Sequence, residues 1–152
     1  MRFRSFAALG VALALAGTAA CTDNTSPNGQ LTGGLYALTS VNGVGLPYSY
    51  TDQNTGGTTT LQSDVYTING NGTYSEVINE TVSNGYGTSP TTDNESGTWV
   101  QNGNVITFQP NYSTFASPPF TTYTASLSGG GLLSNTSLVF SSGLGQLVYQ
   151  HE

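Results

Sequence analysis

The residues that could carry acid–base chemistry in this chain are few. Glu76 and Glu80 form the most obvious pair of carboxylates, because they fall on one face of the same predicted strand. Residues four positions apart on a strand are separated by about 13 Å, more than the carboxylate spacing used by either class of glycosidase. We therefore expect both glutamates to point to water, and we predict no catalytic residue and no enzymatic activity.

The single histidine and the single cysteine offer little further chemistry. His151 lies one residue from the C-terminus, where chain ends are commonly disordered, so we expect its side chain to be solvated. Cys21 falls at the end of a hydrophobic leader. Neither a Cys/His nucleophilic site nor a zinc site can be assembled from these two residues.

Two acidic segments contain fragments of a calcium-binding loop. Asp52 and Asn54 in "DQNTGG", and Asp93 and Glu95 in "DNESG", stand at alternate positions before a glycine. The remaining ligands and the distal glutamate of such a loop are missing. We expect both segments to be turns rich in Asp and Asn, and we predict no metal site and no cofactor.

The charge of the chain is strongly asymmetric. Both basic residues, Arg2 and Arg4, lie in the leader, whereas all eight carboxylates follow Cys21, so the part from Cys21 onward carries a formal charge of -8. Nucleic-acid binding requires Lys and Arg to displace counterions from phosphate, so we exclude nucleic acid as a partner. An anionic membrane surface would also repel this part of the chain.

Residues 1–20 have the three parts of a secretory signal peptide. Two arginines precede an apolar run from Phe6 to Ala16, and small residues follow up to Ala20. Such a run is too short for a membrane-spanning helix, which needs roughly 20 apolar residues. We predict a helical signal peptide that is removed before Cys21.

The end of this leader resembles a bacterial lipoprotein signal, in which small residues precede a cysteine that is acylated. Ala19, Ala20 and Cys21 match the last three positions, whereas Thr18 stands where Leu is usual. The resemblance implies a lipid attached to Cys21, with residues 21–33 forming the lipidated N-terminus and a flexible tether. Thr22 after the cysteine implies delivery to the outer membrane of a bacterial envelope. The alternative is ordinary secretion as a soluble or periplasmic protein.

From Gly34 to the C-terminus, apolar and polar residues alternate between turn sequences, which is the pattern of β-strands. Asn42-Gly43 is predicted to end the first strand, and Asn102-Gly103 to close the clearest hairpin. Pro110 is predicted to end the strand after that hairpin, because proline has no N–H for a ladder. The predicted strands cover about 34–42, 59–68, 73–83, 96–100, 105–110, 120–128, 136–142 and 145–151.

About eight short strands with tight connections predict an all-β domain over residues 34–152. Consecutive antiparallel strands of this number form a meander that can close, or nearly close, into a small barrel without exposed edges. A two-sheet β-sandwich would produce the same spacing and is the alternative architecture.

The layout resembles small bacterial lipocalin-like lipoproteins, which have a calycin-type β-barrel. A lipoprotein leader and polar spacer precede "GLYALTSVNGVGLP", and meander hairpins follow with "GTW" and "NGNVITF". Lipocalins proper carry Gly-x-Trp on their first strand. In this chain that strand has Gly34-Leu35-Tyr36, and Trp99 comes mid-chain.

These observations predict a lipid-anchored, extracytoplasmic binding module with a non-enzymatic role. Its ligand would be small and apolar or amphipathic, and we name Tyr36, Tyr66, Trp99 and Phe108 as candidate lining residues from their strand positions. The alternative is a structural or interaction lipoprotein with a solid core that meets another envelope protein. A secreted hydrolase is a third and more distant alternative.

Overall fold

The computed structural model describes residues 30–51, 56–116, 118–129 and 136–152. These ranges contain strands joined by turns and loops, and no helix. The predicted signal peptide, Cys21 and most of the predicted tether lie outside the described residues. The strands are β1 (Gly34–Val41), β2 (Val44–Gly45), β3 (Tyr48–Thr51), β4 (Thr58–Ile68), β5 (Thr73–Asn84), β6 (Gly87–Asn102), β7 (Val105–Ser113), β8 (Tyr123–Ser128), β9 (Ser137–Ser142) and β10 (Gly145–His151).

Eight of these strands close into an antiparallel barrel. The order runs β1–β10–β9–β8–β7–β6–β5–β4, and β4 pairs back onto β1 through Gly34–Ala37 and Val65–Ile68. The short strands β2 and β3 lie beside this seam, where β2 pairs the second half of β1 and β3 pairs the first half of β4. The predicted barrel is confirmed, and the β-sandwich alternative is wrong because one continuous sheet closes on itself.

Turn chemistry determines where the hairpins reverse. Asn42 and Gly43 both have positive φ, at 52° and 77°, as expected of the tight primed turn that suits a twisted hairpin. The Asn42 side chain then links two hairpins, because its amide donates to the Leu144 carbonyl at 2.7 Å and its oxygen accepts from the Gln146 N–H at 2.8 Å. The predicted ending of the first strand at Asn42-Gly43 is confirmed.

Pro110 does not end β7, contrary to the prediction. The register shifts between Ser96 and Gly97, so that Gly97 pairs with Pro110 while Ser96 pairs with Tyr112. A bulge of this kind leaves one residue unpaired and accommodates a proline that cannot donate to the ladder. A Cβ on Gly97 would contact the Gln109 carbonyl, so this close approach requires glycine.

Two further sequence expectations are wrong. Asp93 and Glu95 lie within β6, paired with β5, rather than in an Asx-rich turn. His151 is the last residue of β10, is half-buried, and packs its ring edge-on against Tyr36 at 4.9 Å between centroids. Pairing with a neighbouring strand orders both segments, which their polar composition alone does not indicate.

The two ends of the barrel are built differently. We call the end where β1 begins and β4 ends the closed end, because apolar side chains fill it and Leu31 caps it, held by a 2.8 Å bond from its N–H to the Gln101 side chain. Residues buried at this end include Leu31, Tyr36, Ile68, Ile106, Leu127 and Leu138. The opposite end, here the open end, carries the β7–β8 connection and the β9–β10 turn.

Candidate functional site

A cavity of about 880 Å³ occupies the open half of the barrel. Its upper wall is largely apolar and runs out to the exposed Phe115, so the cavity opens to solvent at that end. Residues of this wall include Leu61, Ile78, Phe115, Phe120, Leu144 and Leu147. Its floor is polar and contains carboxylates and tyrosine hydroxyls, so one space combines an apolar body with a charged base.

Three carboxylates are buried at the floor, and we call them the acid cluster: Asp64, Glu76 and Glu95, which are 4 %, 5 % and 4 % exposed. They come from the neighbouring strands β4, β5 and β6. Glu76 and Glu95 stand directly opposite each other in the ladder, while Asp64 is diagonal to Glu76, because Tyr66 is the direct partner of Glu76. The acid cluster therefore occupies one side of the barrel wall.

A β-bulge turns Asp64 inward. Leu61 pairs with Glu80 and Ser63 pairs with Asn79, which leaves Gln62 as an extra residue in β4. Before the bulge the inward residues are odd-numbered, as at Leu61, and after it they are even-numbered, as at Asp64. A single extra residue exchanges the two faces of a strand.

Tyrosine hydroxyls from across the barrel satisfy much of the acid cluster. Tyr149 donates to Asp64 Oδ2 at 2.6 Å, and Glu95 Oε1 accepts from Tyr74 at 2.7 Å and from Tyr123 at 2.5 Å. The Tyr66 hydroxyl lies 3.1 Å from that of Tyr123. Hydrogen bonds to an ionised acceptor are the stronger class, so these contacts hold the carboxylates in place.

One oxygen of the acid cluster has no donor. Within the described part of the chain, Asp64 Oδ1 is buried without a hydrogen-bond partner, although its sister oxygen is bound by Tyr149. Most buried polar atoms in folded proteins are paired, so an orphaned carboxylate oxygen on a cavity floor calls for a functional explanation.

Burial dominates the electrostatics of the site. Desolvation, reinforced by the negative charge of Asp64, raises the pKa of Glu76 to about 9, so this carboxyl is protonated at neutral pH. Desolvation also raises the pKa of Asp64 to about 6, opposed by the hydrogen bond from Tyr149. Burial raises the pKa of Tyr66 and Tyr149 as well, so both remain proton donors.

An aromatic layer supports the floor. Six of the eight barrel strands, all except β1 and β6, each contribute one ring, and rings in contact have centroids 5.0 to 6.0 Å apart, which is the range of favourable aromatic pairs. The rings belong to Tyr66, Tyr74, Phe108, Tyr123, Phe140 and Tyr149. The layer separates the cavity from the filled closed end and fixes the tyrosines that donate to the acid cluster.

The structure separates the residues named as candidate ligand lining. Tyr66 lines the cavity. Phe108 is fully buried in the aromatic layer, and Tyr36 is fully buried at the closed end beside His151. Trp99 is half-buried near the closed end, where its indole N–H donates to the Asn69 carbonyl at 3.2 Å. Only Tyr66 of these four belongs to the cavity wall.

The expectation that Glu76 and Glu80 both point to water is wrong for Glu76. Glu76 is buried in the acid cluster, and Glu80 is half-buried higher in the cavity wall. Their shared face with Tyr74 and Ile78 is the inward face of β5. The strand period gave the correct geometry, whereas general burial statistics for glutamate did not apply.

No protein-family model matches the chain, and no curated protein sequence matches it. The fold itself, a closed eight-stranded antiparallel barrel, is consistent with a lipocalin-like fold.

Among the described residues, no group of three or more His, Cys, Asp or Glu side chains has an arrangement that could hold a metal ion. No helix in the same part of the chain is long and apolar enough to cross a membrane.

Sequence reasoning did not identify Asp64 or Glu95 as site residues. Asp64 shares a face with Tyr66 and Ile68 in "DVYTI", which is a visible signal, since a carboxylate on an apolar strand face is unusual. For Glu95, the sequence "DNESG" predicts a turn instead of a strand. The sequence contains no Lys or Arg after Cys21. A buried carboxylate in this part of the chain therefore has no Lys or Arg side chain with which to form an ion pair.

Proposed function

We propose that this protein is a lipid-anchored, extracytoplasmic binding module that holds a small amphipathic ligand inside its barrel without transforming it. The observation that carries the proposal is the open cavity of about 880 Å³. Ligand pockets of about 300–1,000 Å³ enclose most of the surface of a small organic molecule. A solid-core interaction protein, the principal alternative, predicts no such space.

The wall chemistry supports an amphipathic ligand over a purely apolar one. Leu61, Ile78 and Leu147 offer apolar contact in the upper cavity, whereas the floor carries the acid cluster and tyrosine hydroxyls. A purely apolar molecule reaching the floor would strip water from these polar groups without replacing its hydrogen bonds. A ligand with a polar end directed inward avoids this loss.

The position of the carboxylates supports binding over hydrolysis. A glycosidase uses two carboxyl groups that flank the scissile bond from opposite sides. Asp64, Glu76 and Glu95 instead come from three adjacent strands on one side of the barrel. A molecule in the cavity would meet them from a single direction.

The ends of the barrel support the anchored arrangement. Leu31 caps the closed end, which lies opposite the mouth of the cavity. An acylated Cys21 would fix the protein to a bacterial envelope membrane, most simply the outer membrane, with the mouth directed away from the lipid. A ligand could then enter without passing through the anchor.

A pair of matched variants tests the cavity. Ile78 lines the cavity and the adjacent Val77 is 38 % exposed on the opposite face of β5, so Ile78→Trp fills the space while Val77→Trp adds the same bulk outside. We expect wild type and Val77→Trp to bind the neutral fluorescent probe N-phenylnaphthylamine, and Ile78→Trp to bind it at least about tenfold more weakly. Circular dichroism checks that both variants are folded.

The same titration can refute the proposal. Absence of probe binding by the wild-type protein would contradict an accessible ligand cavity. Equal binding by folded Ile78→Trp and Val77→Trp would show that the probe sits elsewhere on the surface. Either result would favour the interaction protein with a structural role.

A further inference from the structure

The acid cluster has a charge that the chain itself cannot neutralise. The sequence from Cys21 onward contains no Lys or Arg, and its single histidine packs against Tyr36 at the closed end. The tyrosines around the cluster donate hydrogen bonds but carry no positive charge. No Lys or Arg of the sequence from Cys21 onward can therefore supply a positive charge to the cavity floor, whereas a bound cation could.

Asp64 shows where that charge would sit. The residue is 4 % exposed and lines the cavity, and its Oδ1 has no hydrogen-bond donor among the described residues. A side-chain hydrogen bond links Glu76 to Asp64, and burial together with the charge of Asp64 raises the pKa of Glu76, so this carboxyl can hold a proton beside Asp64. A stronger donor that also carries positive charge would displace this proton.

The surroundings favour an organic cation over a bare metal ion. No metal-binding arrangement of carboxylates exists in the described residues. Aromatic rings of Tyr66, Tyr123 and Tyr149 border the floor, and aromatic faces attract ammonium groups as well as apolar carbon. The apolar wall above them suits the hydrocarbon part of the same molecule.

We propose that the cavity selects amphipathic amines, whose ammonium group binds the Asp64 carboxylate within the acid cluster while the apolar body lies along Leu61, Ile78 and Leu147. This inference rests on the proposed binding function and names its ligand class. It also makes binding a proton exchange, because an ammonium group that approaches Asp64 and Glu76 favours the ionised form of both carboxyls. The proton leaves Glu76 for solvent as the cation enters.

Three probes with the same hydrocarbon tail test the head-group preference: octylammonium, 1-octanol and octanoate. They would be titrated by calorimetry into the full chain carrying Cys21→Ser, so that no attached acyl chain competes. We expect octylammonium to bind at least about tenfold more tightly than 1-octanol, since hydrogen bonds to charged groups are the stronger class. Octanoate should bind most weakly of the three.

Two variants test whether the preference for octylammonium depends on Asp64. Asp64→Asn keeps an oxygen that can accept from Tyr149 but removes the charge, so we expect the preference for octylammonium to disappear while 1-octanol binding is retained. Glu152→Gln removes the same charge at an exposed position outside the cavity and should keep the preference. Retained 1-octanol binding also shows that Asp64→Asn is folded.

Proton release gives a second readout that needs no variant. Octylammonium binding at pH 7.5, measured in buffers of different ionisation enthalpy, should release protons, whereas 1-octanol binding should not. Equal affinity for all three probes, a preference for octanoate, or an unchanged preference in Asp64→Asn would overturn the amine site while leaving the binding module intact. Octylammonium binding without proton release would overturn the proton exchange assigned to Glu76. Failure of all three probes to bind would overturn both proposals.

Discussion

The hydroxyl of Tyr149 donates a 2.6 Å hydrogen bond to Asp64 Oδ2, although the two residues are 85 positions apart in sequence. Asp64 lies on β4 and Tyr149 on β10, and within the eight-stranded barrel these strands lie on either side of β1. Barrel closure is therefore the event that creates this contact. Asp64 is left with one bound oxygen and one oxygen without a donor.

Tyr149→Phe should destabilise the protein in a pH-dependent way. The substitution leaves a buried carboxylate without its donor, which costs about 1–3 kcal/mol for a group of this kind. The loss should be largest at pH 8, where Asp64 is ionised, and smaller at pH 4.5, because the pKa of Asp64 is raised to about 6 and its acid form needs no donor to offset a charge. Urea denaturation at the two pH values measures it.

Tyr36→Phe is the matched control for that experiment. The Tyr36 hydroxyl bonds to Thr32 and touches no carboxylate. Its removal should change the unfolding free energy by the same amount at both pH values. A loss in Tyr149→Phe that is equally independent of pH would contradict the role assigned to the Tyr149–Asp64 bond.

Most of the fold could be predicted from sequence, because local signals determine its hairpins. Asn42-Gly43 and Asn102-Gly103 specify tight turns, and strand alternation indicates about eight strands. The first part of β6, from Gly87 to Glu95, could not be predicted, because its polar composition shows no apolar alternation. That segment is ordered by pairing with β5, which is a tertiary effect.

The candidate site was much harder to predict than the fold. The inward turn of Asp64 depends on the bulge at Gln62, and no residue type in "LQSDV" requires a bulge. The buried carboxylates accept hydrogen bonds from strands that are distant in sequence: Glu95 accepts from Tyr123, and Asp64 accepts from Tyr149. Statistics for isolated strands therefore assign these carboxylates to solvent.

Stability should fall as pH rises above neutrality. Burial raises the pKa of Asp64 to about 6 and that of Glu76 to about 9, whereas in the unfolded chain such groups titrate near 4. The folded state therefore binds more protons, and the stability from these groups is complete below about pH 4 and is lost progressively up to their folded pKa values. Between about pH 6 and 8, Glu76 keeps its proton in the folded state while the same group is ionised in the unfolded chain, so the free energy of unfolding falls with each pH unit.

Glu76→Gln should flatten the dependence of the unfolding free energy on pH between 6 and 9, because the amide does not titrate. Glu152→Gln, at an exposed position, should leave the wild-type slope in place. Urea midpoints at pH 6, 7, 8 and 9 give the slopes. A wild-type stability that stays constant or increases over this range would show that Glu76 is not held protonated in the folded protein.

Gly97→Ala should severely destabilise the barrel at the bulge that directly follows Glu95 in β6. A Cβ at this position would lie 2.2 Å from the Gln109 carbonyl oxygen and 2.8 Å from Pro110 Cα, and both of these atoms are backbone. Overpacking of this type costs about 1–3 kcal/mol or more, and the backbone of β7 has little room to shift. Gly85→Ala is the control, since a Cβ there meets nothing within 4 Å. Comparable melting temperatures of the two variants would contradict the close approach of β6 and β7.

Cys21→Ser should release the protein from the membrane, because Cys21 is the single cysteine of the chain and follows a signal-like leader. We expect the wild-type protein to fractionate with membranes and to have the mass of residues 21–152 plus acyl chains. The variant should lack both properties while its purified barrel keeps the wild-type melting temperature, since the segment at the closed end is anchored independently by Leu31. A wild-type protein that is unmodified and free of the membrane would refute the anchor. It would leave the cavity proposal intact, because the mouth lies at the opposite end of the barrel.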